Sequence, residues 1–236
     1  MVDRSKILPY QRVYKGSFKG DNQKNRIGSK KKWFSLGLSE HTVISNIIAF
    51  MLGRAMILDS LTPFGIAYIA SILPGQRKSA AVWVSTLLGI LSVQKGLPMI
   101  RYVFILVLFY LLFTILSRMY SLNIFKTALL ASFSVLSIGM FIVALTDFLL
   151  YDTLLVVFEA VITFVLIYIF KYAVPVMIEG KNRRILSNEE LICATIMMSL
   201  VLIGLTNIKV YGYSLKNVLS VFLVLIFAYN SGGSVG

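Results

Sequence analysis

The stretch TALLASFSVLSIGMFIVALT, residues 127–146, runs for twenty residues without a charge or a proline. A helix of this length rises about 30 Å, which is the thickness of the hydrocarbon core of a bilayer. The stretch therefore predicts a transmembrane helix. Ser132, Ser134, Ser137 and Gly139 would give this helix a face of small residues that suits close packing against other helices.

The composition of the whole chain also indicates a membrane protein. Of 236 residues, 58% are hydrophobic and 14% are charged, and the mean hydropathy is +0.83. Soluble domains usually carry about 45–50% apolar and about 25% charged residues. The sequence therefore predicts an all-α, polytopic transmembrane helix bundle of about eight spans over residues 42–236, in a fragment that ends within or just after a span. Besides 127–146, the apolar runs are 42–57, 61–73, 80–93, 102–117, 153–170, 191–208 and 218–229.

The segment 42–73 is either one long helix or a hairpin of two short helices, and the charges of the connections favour the hairpin. Connections on the cytoplasmic side of a membrane are richer in lysine and arginine. The connection 147–152 has two acids and no base, and the connection 171–190 has four bases. We therefore expect the first outside and the second inside. An N-terminus inside the cell then requires an even number of crossings in 42–73.

The N-terminal segment 1–41 carries ten of the 23 basic residues and three of the 10 acidic ones. It is predicted to be a disordered cytoplasmic tail, since segments rich in Lys and Arg are retained on the cytoplasmic side. Each Lys or Arg near an anionic membrane surface adds about 1 kcal/mol of attraction. Lys30, Lys31, Lys32 and Trp33 are predicted to anchor the tail at the inner interface, where tryptophan is enriched. The predicted partner is the lipid bilayer, not nucleic acid. Docking of a cytosolic partner is the alternative.

Three charged residues within the apolar region are candidates for a functional role. Arg54 and Asp59 flank the predicted turn of the hairpin, where they would form an ion pair, lie at the outer interface, or serve signalling or substrate recognition. Glu159 lies six residues into its apolar run, a depth at which an ionisable group suggests function. A small transporter or channel would use Glu159 as a proton or cation site. Alternatively, the carboxyl group stays protonated or faces hydroxyl groups of another helix.

The sequence lacks the signatures of an enzyme. Cys193 is the one cysteine and His41 the one histidine, which excludes an internal disulfide and a Cys/His metal cluster within one chain. The motifs GxxxxGK[ST], HExxH and CxxC are absent, and the acids beyond the tail are too scattered to hold the ions of a metal-dependent hydrolase. We therefore expect no catalytic residue, cofactor or metal in this chain.

Two stretches nevertheless resemble a known family. They are FMLGRAMIL (residues 50–58) with LTPF (61–64) closely following it, and LSNEELIC (186–193), which leads into an apolar run. Together with the terminal SGGSVG (231–236), they resemble the membrane region of the stage II sporulation protein E family of endospore-forming Firmicutes. The resemblance covers about residues 40–236.

The resemblance implies a membrane anchor rather than an enzyme. Members of that family join a multi-spanning membrane region to a regulatory region and a manganese-dependent, PP2C-type serine/threonine phosphatase. This phosphatase dephosphorylates an anti-sigma-factor antagonist and so activates the forespore sigma factor. The membrane and regulatory regions help place the protein at the asymmetric septum with the tubulin-like division protein, and helix packing would permit self-association. We expect this chain to be a truncated or split-gene product or a boundary cut, and a non-functional product is an alternative.

Overall fold

The computed structural model describes residues 40–58, 61–74, 80–146, 149–179, 187–206 and 208–231. These residues form eight helices and one small hairpin, so the predicted all-α fold class is confirmed. The helices are α1 (Glu40–Arg54), α2 (Pro63–Ile72), α3 (Ala80–Val93), α4 (Leu97–Met119), α5 (Ile124–Leu145), α6 (Leu150–Glu179), α7 (Asn188–Ile203) and α8 (Leu215–Ser231). The hairpin pairs β1 (Lys209–Val210) with β2 (Tyr213–Ser214) in antiparallel fashion.

Three of these helices are long and apolar enough to cross a membrane, namely α4, α5 and α6. The other five helices in the described part of the chain have between 10 and 17 residues. The shortest is therefore about 15 Å long, half the thickness of the hydrocarbon core. The prediction of about eight spans is not supported. It counted each apolar run as a span, although a helix enclosed by other helices has the same composition.

Helix α2 is the clearest example of an apolar helix that faces protein. Nine of its ten residues are buried, and it packs against α1, α3, α5 and α6. The Tyr68 hydroxyl lies 2.9 Å from that of Ser45 in α1, and the Tyr68 ring meets Phe170 of α6 edge-on. The apolar side chains of α2 therefore fill the centre of the bundle.

The segment 42–73 forms two short helices, as the hairpin interpretation predicted. Helix α1 ends at Arg54 and α2 begins at Pro63. Two hydrogen bonds close the loop between them, because the N–H of Ile57 and the carbonyl of Leu61 are 2.9 Å apart and the reciprocal pair is 3.0 Å apart. The loop turns at Leu58, whose φ is +52°.

Glycines allow α1, α2 and α3 to meet at backbone distance. A Cβ atom on Gly53 of α1 would lie 2.6 Å from the carbonyl oxygen of Thr86 and 3.3 Å from the Cα atom of Gly89 in α3. A Cβ atom on Gly65 of α2 would lie 3.2 Å from the Cα atom of Gly53. The FMLGRAMIL stretch that carries the family resemblance therefore lies at the tightest crossing of the three short helices.

Helix α5 presents small side chains to its neighbours α2, α4 and α6. Ser134 and Gly139 are buried there together with Ala128 and Ala131. Two of the four predicted small residues thus lie on the packed face. The predicted face is rotated slightly, since Ser132 is only half-buried.

Helix α7 begins with a capping box, which explains the second stretch of the resemblance. The hydroxyl of Ser187 accepts a hydrogen bond from the N–H of Glu190 at 3.2 Å, and the Glu190 side chain accepts one from the N–H of Ser187 at 3.3 Å. This reciprocal arrangement satisfies two backbone donors that a helix start leaves unpaired. The letters SNEEL therefore fix the point at which α7 begins.

Candidate functional site: two buried polar centres

The first polar centre surrounds the carboxylate of Glu159. Glu159 is the tenth residue of α6, and its side chain is fully buried. One carboxylate oxygen forms an ion pair with the guanidinium group of Arg101 in α4, whose side chain is 16% exposed. The other oxygen accepts a hydrogen bond of 2.5 Å from the hydroxyl of Tyr102. The buried carboxylate therefore has both a counter-charge and a hydrogen-bond donor.

Arg101 reaches Glu159 because Gly139 of α5 has no side chain and so leaves space between α4 and α6. A Cβ atom at Gly139 would lie 3.3 Å from Nη2 of Arg101 and 2.5 Å from a methyl group of Val156. The predicted apolar run 102–117 begins one residue after Arg101. That boundary is wrong, because α4 begins at Leu97 and includes Arg101 as its fifth residue.

Tyr102 extends the Glu159 centre to the start of α2. The N–H of Thr62, the residue before α2, donates a hydrogen bond of 2.8 Å to the Tyr102 hydroxyl. That hydroxyl donates in turn to Glu159, so one chain of hydrogen bonds joins the α1–α2 loop, α4 and α6. Among the described residues, two buried polar atoms at this centre, Oγ1 of Thr62 and Nε of Arg101, have no hydrogen-bond partner.

The second polar centre surrounds Arg54, the last residue of α1. Its Nε–H donates to the carbonyl of Gly204 at 3.0 Å, and one terminal nitrogen donates to that of Thr206 at 3.5 Å. The other terminal nitrogen bonds the hydroxyl of Ser92. The guanidinium carbon also lies 5.9 Å from the centre of the Phe50 ring. We call this group the Arg54 junction.

The Arg54 junction places one positive charge where three helices end. Helix α1 ends at Arg54, α3 ends beside Ser92, and α7 ends beside Gly204. Carbonyl groups are unpaired at a helix C-terminus, which carries partial negative charge that a cation stabilises. Gly204 also brings α7 against the backbone of Met51 in α1, a contact that leaves no room for a Cβ atom.

The two centres account for part of the predicted site. Arg54 and Glu159 both lie among other elements of the bundle rather than in a common cleft. Asp59 lies outside the described residues, as do Lys30, Lys31, Lys32 and Trp33, so their predicted roles stay predictions. Sequence reasoning missed Arg101, Tyr102 and Thr62 as partners of Glu159.

The contacts of these two centres join helices to one another. Within the described ranges, no three side chains of His, Cys, Asp or Glu come together to hold a metal ion. The carboxylate at the Glu159 centre is already bound by a guanidinium and a phenol. Such an arrangement fixes helices relative to one another, because separating either partner would leave a charge unpaired in a low-dielectric interior.

Known proteins resemble this chain along nearly its whole length. A model of the SpoIIE N-terminal domain matches residues 5–236. Stage II sporulation protein E of Bacillus subtilis (strain 168) is 28% identical over 197 residues, which cover 80% of this chain and 23% of that protein. No solved structure matches. The domain match takes up almost the entire chain, and no phosphatase domain is evident in it.

Proposed function

This chain belongs to the SpoIIE N-terminal domain family, and on that premise we propose that it is the membrane anchor of a stage II sporulation protein E-like serine/threonine phosphatase. The anchor would hold the catalytic region at the asymmetric septum, where the phosphatase acts on an anti-sigma-factor antagonist and activates the forespore sigma factor. The manganese-dependent catalysis belongs to the family's phosphatase domain. The function of these residues is therefore to position the catalytic domain.

The observation that carries the proposal is that three long apolar helices pack together. Helices α4, α5 and α6 have the length and composition of membrane spans, and Arg101 in α4 pairs with Glu159 in α6 across α5. A body of this kind holds an attached domain at the membrane and raises its effective concentration there.

A contact between the start of α1 and the end of α6 supports a cytoplasmic N-terminus. The Nδ1–H of His41 at the start of α1 donates a hydrogen bond of 2.7 Å to the carbonyl of Ile178 at the end of α6. His41 and Ile178 therefore lie side by side at one end of the bundle. In the sequence, His41 ends the basic tail 1–41 and Ile178 comes shortly before the connection 180–186. That connection adds Lys181, Arg183 and Arg184. Basic segments are retained in the cytoplasm, so we assign this end to the inside of the cell.

The proposal is tested by following the chain in sporulating cells. A fluorescent reporter joined after Gly236 should sediment with membranes and concentrate at the asymmetric septum. A matched fusion in which α4–α6 is replaced by three unrelated spans should sediment with membranes but spread evenly around the cell. A soluble reporter would contradict the anchor, and equal septal enrichment of the two fusions would contradict the septal role of this region.

The alternative of a transporter or channel finds less support in the geometry. A transport site must release and rebind its ion, whereas the Glu159 carboxylate is fully buried and paired with Arg101. The alternative predicts that Glu159→Gln changes ion flux in proteoliposomes while the protein stays folded. The anchor proposal predicts no flux from the unaltered chain above that of empty liposomes. A non-functional product would show neither flux nor septal enrichment.

A further inference from the structure

A cleft between α7 and α8 is lined by residues that belong to neither polar centre. It has a volume of about 390 Å³. Met198 and Leu202 of α7 face Leu223 and Val224 of α8 across it, and Lys216 is the one charged residue among the described residues that line it. A lysine beside an apolar cleft at the end of a helix pair needs an explanation, because lipid chains alone would leave its charge unmatched.

The order of residues along α8 gives the cleft a direction. Lys216 is the second residue of α8, Ser220 follows one turn later, and Leu223 and Val224 follow about one turn after that. The Ser220 hydroxyl donates to the carbonyl of Lys216 at 2.7 Å, so its hydrogen is already used. The cleft therefore has a cationic mouth and an apolar interior. An amphiphile with an anionic head matches this order.

The hairpin at the same end of α8 indicates that the mouth lies at the level of lipid headgroups. Tyr211 is 98% exposed and Tyr213 is 73% exposed, and Tyr211 and Gly212 form the turn with φ values of +51° and +84°. Positive φ values at both central residues are typical of a type I′ turn in a two-residue hairpin. Tyrosine is enriched at the interface between a membrane and water, where its ring is apolar and its hydroxyl is hydrated.

From these observations we propose that the cleft between α7 and α8 binds one anionic phospholipid. The phosphate would lie at the ammonium group of Lys216, and an acyl chain would lie along Met198, Leu202 and Leu223. The amine makes no hydrogen bond or ion pair to any residue that the structure describes, so it is available to a phosphate. A second copy of the chain, or another apolar helix, would instead bury this charge against apolar groups.

The binding is tested with the full chain, purified in detergent, stripped of lipid and titrated with phosphatidylglycerol or phosphatidylcholine. Native mass spectrometry counts the lipids that each molecule retains. We expect one tightly retained phosphatidylglycerol and at least fivefold weaker retention of phosphatidylcholine. Lys216→Gln should weaken phosphatidylglycerol binding about fivefold, as expected for loss of one charge contact at a membrane surface.

Two further variants separate the cleft from general surface charge. Lys126→Gln removes another lysine near the start of a helix, on α5, and should leave binding unchanged. Leu223→Trp fills the cleft and should abolish retention in a protein that still elutes as a single species. Equal effects of Lys216→Gln and Lys126→Gln would overturn the proposal, as would equal affinity for the two lipids. Disulfide cross-linking of copies through Val224→Cys, in a Cys193→Ser background, would also overturn it.

Discussion

The Glu159 centre and the Arg54 junction stabilise a buried or half-buried arginine in two different ways. Arg101 is balanced by a carboxylate on another long helix, whereas Arg54 is bound by backbone carbonyls and a hydroxyl at the ends of short helices. The first arrangement neutralises a full charge with a full charge. The second satisfies hydrogen bonds with partial charges and leaves the guanidinium partly open to its surroundings. Removing one partner should therefore cost far more at the first centre than at the second.

Glu159→Gln should produce the largest loss of stability. It leaves Arg101 without a counter-charge, and a guanidinium cannot give up its proton to become neutral, so we expect a loss of about 3–5 kcal/mol in the free energy of unfolding. The double variant Arg101→Gln with Glu159→Gln should recover most of this loss. Unfolding titrations in detergent measure both. Asp152→Asn in the first turn of α6 is the matched control, and an equal loss there would refute the argument.

Tyr102→Phe should come next, because it breaks the hydrogen-bond chain at its middle. The phenyl ring keeps the packing, but the carboxylate of Glu159 loses a donor and the N–H of Thr62 loses its acceptor. We expect a loss of about 1.5–3 kcal/mol in the same titrations. Tyr110→Phe removes a hydroxyl from an exposed position on the same helix and should cost little. A small loss for Tyr102→Phe would mean that the α1–α2 loop is held by packing alone.

Glycine substitutions compare the helix crossing beside the Arg54 junction with the crossing beside the Glu159 centre. Gly53→Ala and Gly139→Ala should each destabilise the protein by about 1–3 kcal/mol through overpacking. At Gly139 the obstacle includes the side chain of Val156, so adding Val156→Ala should restore much of the stability. At Gly53 the obstacle is the backbone oxygen of Thr86, so adding Thr86→Ala should not help. Equal rescue at both glycines would contradict the described crossings.

Arg54→Gln should have the smallest of these effects, about 1 kcal/mol, since it removes hydrogen bonds that are partly open to their surroundings. Arg118→Gln, at the exposed C-terminal end of α4, serves as the control and should be nearly neutral. A loss at Arg54 as large as that of Glu159→Gln would erase the distinction between the two centres. If Arg54 and Asp59 also serve recognition, neutralising both should reduce septal enrichment without releasing the chain from the membrane.

The sequence predicted the composition-driven features of the fold and missed those that depend on tertiary packing. The long uncharged stretch 127–146 predicts α5, which spans Ile124–Leu145, to within three residues at its start and one at its end, because its length matches the thickness of a bilayer. The runs 61–73 and 80–93 misled the span count because burial by protein and exposure to lipid select the same side chains. Only the positions of neighbouring helices distinguish these two cases.

The pair of Arg101 and Glu159 was hidden for a different reason. The two residues are 58 positions apart, and Arg101 lies at the edge of its apolar run, where a basic side chain usually extends to the membrane surface. One signal was nevertheless present. Helices separated by a single intervening span begin on the same side of a membrane, so a base early in α4 and an acid in the first half of α6 are within reach of each other.

The most direct test of the account is to map which residues face the outside of the cell. Single cysteines are introduced in a Cys193→Ser background and treated in intact cells with a maleimide that cannot cross the membrane. If α4, α5 and α6 cross the membrane and α1 begins beside the end of α6, cysteines at Lys95 and Thr146 should be labelled. Cysteines at His41 and Ser121 should react only after the membrane is opened. Labelling at His41 or Ser121 in intact cells would contradict the account.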